Sequence, residues 1–180
     1  MPFTVVHLGN LDHEPALAGE KTAKYAARFP RVKFIGIDLK KREGPLPQNW
    51  VQIQADFAIG LSRLNDESVD LITSEAALGH YGRDPLNPRS NIHGHTVDAL
   101  KMAFKKLKPR GKLMITVLDQ ILLGSHREYL LNVLNALKET KFKPTNVSWR
   151  ELSRHELSRT AWLRQVRIVN ARAYCITANK

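Results

Sequence analysis

The sequence predicts an α/β chain: a mostly parallel sheet of seven strands with helices on both faces. Two observations carry the prediction. Short apolar, β-branched runs alternate along the chain with segments whose apolar residues recur at helical spacing, the order that builds such a sheet. Glycine, proline and aspartate close most of the runs, so that each strand ends in a turn. The chain has 180 residues, 43% hydrophobic and 25% charged. That is the make-up of one globular domain, 1–180, with enough chain to bury a sizeable core.

Each element follows from its residues. "FTVVHLG" (3–9) is a strand stopped by glycine. "PALAGEKTAKYAARFP" (15–30) predicts a helix with Pro15 in the first turn, where its missing N–H is no loss, and Pro30 at the end. "VKFIGIDL" (32–39) and "WVQIQAD" (50–56) are the second and third strands, and "FAIGLSRLNDES" (57–68) holds at most a short helix. "VDLITSEAAL" (69–78) reads as a buried strand, and the stretch 79–94 as a loop of functional length. "HTVDALKMAFKKLKP" (95–109) has helical spacing, with Thr96 where a helix cap belongs. "GKLMITVLD" (111–119) is a strand and "SHREYLLNVLNALKETKF" (125–142) a helix with Leu130, Val133, Leu134 and Leu137 inward. "TNVSWREL" and "RAYCITANK" supply the last two strands.

Composition excludes several classes. No apolar run approaches the ~20 residues of a membrane span. The N-terminal residues show no export signal, so a cytoplasmic protein without a membrane partner is expected. The single cysteine, Cys175, rules out an intrachain disulfide and a cysteine-based zinc site. His80, His93 and His95 lack the spacing and the acid or cysteine partners of a metal site, and are read as exposed residues around a helix start. The net charge is +11, and residues 141–180 carry +7 of it, with nine bases against two acids. A basic end of this density suggests a polyanionic partner, nucleic acid first and RNA favoured; a solvated surface, or a face that meets an acidic protein, accounts for the same charge. Trp149 and Trp162 stand beside arginines there, either to stack on nucleotides or to pack in the hairpin.

In parallel sheets ligands bind beyond the carboxyl ends of the strands, where strand order reverses. The residues there are Gly9 with its followers, Asp38, Asp56, and the stretch from Ser74 to Tyr81. An acid ending the second strand is placed to accept hydrogen bonds from two ribose hydroxyls. Asp56 can take the amino group of a purine while Phe57 packs on its ring. Either aspartate can equally cap the turn that follows it.

The order of "HLG" then helix, "FIGIDL", "VQIQAD", "VDLITSEAAL" and above all "FKKLKPRGKLMI" (104–115) resembles the Rossmann-like S-adenosylmethionine-dependent methyltransferases. The resemblance spans nearly the whole chain. It implies a three-layer, doubly wound sheet ending in an antiparallel hairpin, with S-adenosylmethionine as cofactor. It also implies a donor site of His7, Gly9, Asn10, Leu11, Asp38, Leu39, Asp56, Phe57, Ser74 and Glu75. Candidates for a base that deprotonates the acceptor are Glu75, His80, Tyr81 and Asp84.

The chain departs from the family in its first turn, where acid-x-Gly-x-Gly is usual: His7 stands at the acid position and Leu11 at the second glycine. A dinucleotide must bring its pyrophosphate against backbone N–H groups, so these losses count strongly against a nicotinamide cofactor. They count less against a methyl donor without phosphate, and Asn10 tolerates the backbone angles glycine otherwise supplies. "SEAALGHY" lacks the Asn/Asp-Pro-Pro-aromatic motif of the amino-methylating branch. A fainter likeness, of "FPRVKFIGIDL" and "DPLNPRSNIH" to the tRNA guanine-N7 methyltransferases, implies that the loop 79–94 faces substrate. Two readings follow: a methyltransferase acting on RNA, or a non-catalytic partner subunit of the same fold that has lost its donor site.

Overall fold

The structure, a computed structural model, describes residues 2–9, 26–40, 45–75, 77–79, 91–119, 128–153, 156 and 172–180. The strands are β1 (Phe3–Leu8), β2 (Val32–Asp38), β3 (Trp50–Gln54), β4 (Val69–Glu75), β5 (Leu107–Asp119), β6 (Val147–Glu151) and β7 (Arg172–Asn179). The helices are α1 (Phe57–Ser62), α2 (Ile92–Lys106) and α3 (Glu128–Lys138). All seven strands form one sheet in the order β3-β2-β1-β4-β5-β7-β6. The pairs from β3 to β5 are parallel, and β7 runs antiparallel to both β5 and β6. This is the mostly parallel sheet that the sequence pattern predicts, with the double winding and the terminal antiparallel hairpin that the family resemblance implies.

Side-chain alternation assigns the two faces. Val6 and Leu8 of β1 point to the face where α1, α2 and α3 pack, and join a core with Ile37, Ile72, Ile115, Leu100 and Val133. Each such fully buried aliphatic side chain contributes roughly 1.5–3 kcal/mol. On the other face Val5, Phe34 and Trp50 form a row across three strands, and Ala26, within the helical residues 26–28, closes over it. The Phe34 and Trp50 rings stack with centroids 6.1 Å apart.

Charge is sorted along the strands. At the amino ends the Asp70 carboxylate accepts the Thr4 N–H at 2.8 Å and the Lys108 ammonium at 2.8 Å, tying together β1, β4 and β5. The ammonium of Lys106, though the residue is buried, donates to the Leu64 carbonyl at 2.6 Å and to Asp66 at 2.7 Å. It anchors the end of α2 to the turn after α1.

Some local expectations are corrected. Helix α2 begins at Ile92 rather than His95, and Asn91, with φ of 46°, is its cap. Thr96 is inside the helix, where its hydroxyl donates to the Ile92 carbonyl at 2.7 Å. The helix ends at Lys106, and β5 starts at once with Leu107, four residues before the predicted strand. Those added residues enter the sheet through an irregularity in pairing opposite Val69 and Leu71. His95 is buried, not exposed, against the Phe57 ring with centroids 5.4 Å apart. No helix of the described residues is long and apolar enough to cross a membrane.

Candidate functional site

Strand order reverses between β1 and β4, so the crevice beyond the carboxyl ends of β2, β1 and β4 is the place a ligand would bind. The register brings the predicted residues to one edge: Leu8 lies between Ile37 and Ser74, and His7 between Gly36 and Thr73.

Gly9 turns the chain off β1. Its φ is +78°, its N–H donates to the Ile37 carbonyl at 3.0 Å, and a Cβ placed on it would stand 2.1 Å from the Ala77 Cβ. Glycine is therefore required twice over, for the backbone angle and for the approach of the β4 exit. Asn10 and Leu11 lie outside the described residues.

Asp38 ends β2 and is buried. One carboxylate oxygen accepts the Lys40 N–H at 2.9 Å, which folds the following turn back on the strand end. Leu39 beside it is exposed, and its carbonyl accepts from the Gln54 amide at 3.1 Å. Asp56, also buried, caps α1 by accepting the Ile59 N–H at 3.1 Å. Phe57 is buried in the core beside Gly9 and His95. Replacing Asp56 by alanine should cost about 1 kcal/mol for the lost cap. That predicts a melting temperature lower by roughly 2–4 °C, while Asp56→Ser, which keeps the cap, should melt like the parent.

At the end of β4, Ser74 is buried and its hydroxyl accepts the Leu78 N–H at 3.0 Å, holding the turn that carries Ala77 under Gly9. Glu75 is exposed at the mouth. His80, Tyr81 and Asp84 lie outside the described residues. The turn through Ala77 and Leu78 lies within the stretch 74–81 that the sequence marks at the strand ends, although neither residue is singled out there. Its signal is Ser74 four residues before the N–H it accepts, a local spacing common to many turns.

His7 pairs its Nδ1 with the Thr73 hydroxyl at 2.8 Å, and that hydroxyl donates to the Val6 carbonyl at 3.4 Å. Nδ1 is therefore the donor. Burial is the largest influence on the ring and lowers its pKa below the ordinary 6.5, although Glu75 and Asp38 pull it upward. His7 is thus neutral at pH 7 between two carboxylates. A histidine depressed on folding gives stability that is fully present above its unfolded value and lost as pH falls through 6.5 toward the folded one. The midpoint of urea unfolding should accordingly drop between pH 7 and pH 5, and His7→Gln should flatten that slope.

No protein-family model matches the chain. No curated protein matches it either. Solved structures do. Phosphoethanolamine N-methyltransferase 2 of Haemonchus contortus, in complex with S-adenosyl-L-methionine, superposes with a TM-score of 0.60 at 14% identity over 100% of this chain and 49% of that one. A SAM-dependent methyltransferase from Archaeoglobus fulgidus gives 0.59 at 15% identity, covering 99% and 86% of the two chains. The chain has the Rossmann-like methyltransferase fold. A cyclopropane synthase of Mycobacterium tuberculosis shares this methyltransferase fold, with a TM-score of 0.60 at 16% identity over 99% of this chain and 78% of that one. The chain spans about half the length of the Haemonchus protein.

In the methyltransferase fold as this chain builds it, the basic end has its own geometry. Trp149 is 45% exposed on β6 and meets the Tyr174 ring edge-on, centroids 5.8 Å apart. Arg150 is bound by both oxygens of Glu156, and Arg172 faces Glu151 at 3.8 Å. Lys180 pairs with Glu67 at 3.0 Å. Lys141 and Lys143 are exposed. Trp162 and the arginines 154, 159, 164 and 167 lie outside the described residues.

Proposed function

We propose that the chain binds S-adenosylmethionine at the carboxyl ends of β1, β2 and β4 and catalyses transfer of its methyl group to RNA. The observation that carries the donor half is the charge of the crevice. On a chain of net charge +11, Asp38, Asp56 and Glu75 end or follow three strands at one edge, and the charges of Glu75 and Asp38 act on His7, whose pKa burial nonetheless lowers. Such a mouth favours a cationic ligand and repels a pyrophosphate. A sulfonium donor with an ammonium tail fits it.

Bound there, S-adenosylmethionine supplies an electrophilic methyl carbon: the acceptor's lone pair forms the new bond as the carbon–sulfur bond breaks, its electron pair stays on sulfur, and the acceptor loses a proton. The chain's residues bind and orient. Asp38 accepts from the ribose hydroxyls and Asp56 from the purine amino group. Gly9 and Ala77 hold the floor of the crevice. Glu75, with His80, Tyr81 or Asp84, takes the acceptor proton. Holding donor and acceptor in line is the larger part of such catalysis.

The acceptor half rests on the net +7 of residues 141–180 and on the exposed Trp149 with Lys141 and Lys143. The ion pairs of Arg150 and Arg172 leave less of that charge for RNA than the count alone implies. A second reading, a partner subunit that no longer binds the donor, is favoured by His7 and Leu11 in place of an acid and a glycine.

Incubating the chain with methyl-labelled S-adenosylmethionine, cellular RNA and a small-molecule extract tests the proposal. Label should enter RNA, be released by ribonuclease, and fall steeply as salt is raised. Label in the small-molecule fraction would overturn the RNA half, and the Haemonchus neighbour is named for a small acceptor of that kind. Absence of label in either fraction, with RNA still bound, would favour the partner subunit.

A further inference from the structure

A second cluster of polar side chains lies behind the exit of β4, outside the donor crevice. Gly79 has φ of +86°, and a Cβ on it would stand 2.4 Å from Val133 Cγ2 of α3, so the chain here is pressed against that helix. Its carbonyl accepts the Asn132 side-chain amide at 3.3 Å. The same amide group turns its Oδ1 to His93 Nδ1 at 3.0 Å, and His93 Nε2 meets the Glu139 carboxylate at 2.6 Å. One line of contacts thus runs from Glu139 through His93 and Asn132 to the backbone of Gly79.

The protons of this line are fixed by its ends. The Gly79 carbonyl only accepts, so Asn132 must present Nδ2 to it and Oδ1 to His93. Oδ1 only accepts, so His93 Nδ1 carries a proton. The carboxylate of Glu139 accepts too, so Nε2 carries one as well. Both ring nitrogens donate, and the ring is an imidazolium.

We propose that the His93 imidazolium, held between Glu139 and Asn132, is a positioning residue that fixes the exit of β4 at Gly79, and with it the start of the segment carrying the acceptor-side residues, for catalysis. The proposal rests on the methyl-transfer reading for its last clause only. Bonding to Glu139, the largest influence, and to Asn132 raises the His93 pKa above its ordinary 6.5. Glu139, just beyond α3, is the charge acting on it; the adjacent Lys138 bonds to Asn135 at 3.1 Å. His93 and Glu139 are about half exposed, so solvent exchanges the proton freely. The imidazolium is present below that raised pKa. As pH rises through it, a lone pair faces an acceptor oxygen and the line breaks.

Nuclear magnetic resonance on the full chain tests the device without reference to any ligand. The His93 ring should titrate above pH 6.5, and the Gly79 carbonyl signal should shift with the same midpoint. In Asn132→Ala the Gly79 shift should vanish while the His93 titration remains. A His93 midpoint at or below 6.5, or a Gly79 signal that ignores it, would overturn the proposal. In the methylation assay kcat should fall on the alkaline side at that midpoint, by up to about tenfold, the worth of one neutral hydrogen bond. His93→Gln should abolish that limb without changing donor affinity. A kcat profile blind to His93 would overturn the catalytic clause. Failure to bind S-adenosylmethionine at all would instead sink the methyl-transfer reading and leave the resonance result to decide the device.

Discussion

Gly9→Val is expected to lower stability by about 2–5 kcal/mol, combining the left-handed backbone angle with overpacking. The melting temperature should then fall by roughly 5–15 °C. The angle is +78° at Gly9, a region that β-branched residues adopt only under strain. The packing part comes from Ala77, whose Cβ lies 2.1 Å from where a side chain would begin. The two parts separate in a double-mutant cycle. Gly9→Ala paired with Ala77→Gly should recover the packing loss but not the angle, giving a coupling of about 1 kcal/mol or more. A cycle with no coupling would show that the β4 exit does not press on this turn.

The second large effect is on binding. Asp38→Asn keeps the shape of the side chain and an oxygen to accept the Lys40 N–H, so melting should change little. It removes the charge that the proposed donor site offers to the ribose hydroxyls. Hydrogen bonds to a charged group contribute about 1.5–3 kcal/mol, so affinity for S-adenosylmethionine and S-adenosylhomocysteine should both fall about 10- to 100-fold. Glu75→Gln should behave differently and weaken the sulfonium form more than the neutral thioether. Asp38→Asn binding as tightly as the parent would remove Asp38 from the site.

The frame of the fold was legible because strands and helices alternate with clear punctuation, and strand ends in such a sheet share an edge. Asp38 and Asp56 follow from that rule, and Glu75 falls within the stretch it marks, while its place beside a methyl donor is what the family resemblance implies. Asp56 shows its limit: the carboxylate proposed to take a purine amino group also caps α1, and a sequence does not separate the two roles. What stayed hidden depends on contacts far apart in the chain. Thr73 reaches His7 across 66 positions and sets its proton. Ala77 explains Gly9 only once β1 and β4 are neighbours. His93 reads in the sequence as one of several exposed histidines, because its partners lie far along the chain, Asn132 on another helix and Glu139 just beyond its end. The start of α2 was misplaced for a local reason: Asn91 in a left-handed conformation opens the helix without a side-chain bond, whereas Thr96 has the residue type of a cap.

The proposed crevice takes a cationic methyl donor and refuses a pyrophosphate. Calorimetric titration of the chain with S-adenosylmethionine, beside a nicotinamide dinucleotide, tests that claim most directly. Micromolar binding of S-adenosylmethionine with no heat from the dinucleotide is the predicted result. No heat from S-adenosylmethionine at millimolar concentration with the chain folded, or tighter binding of the dinucleotide, would contradict it.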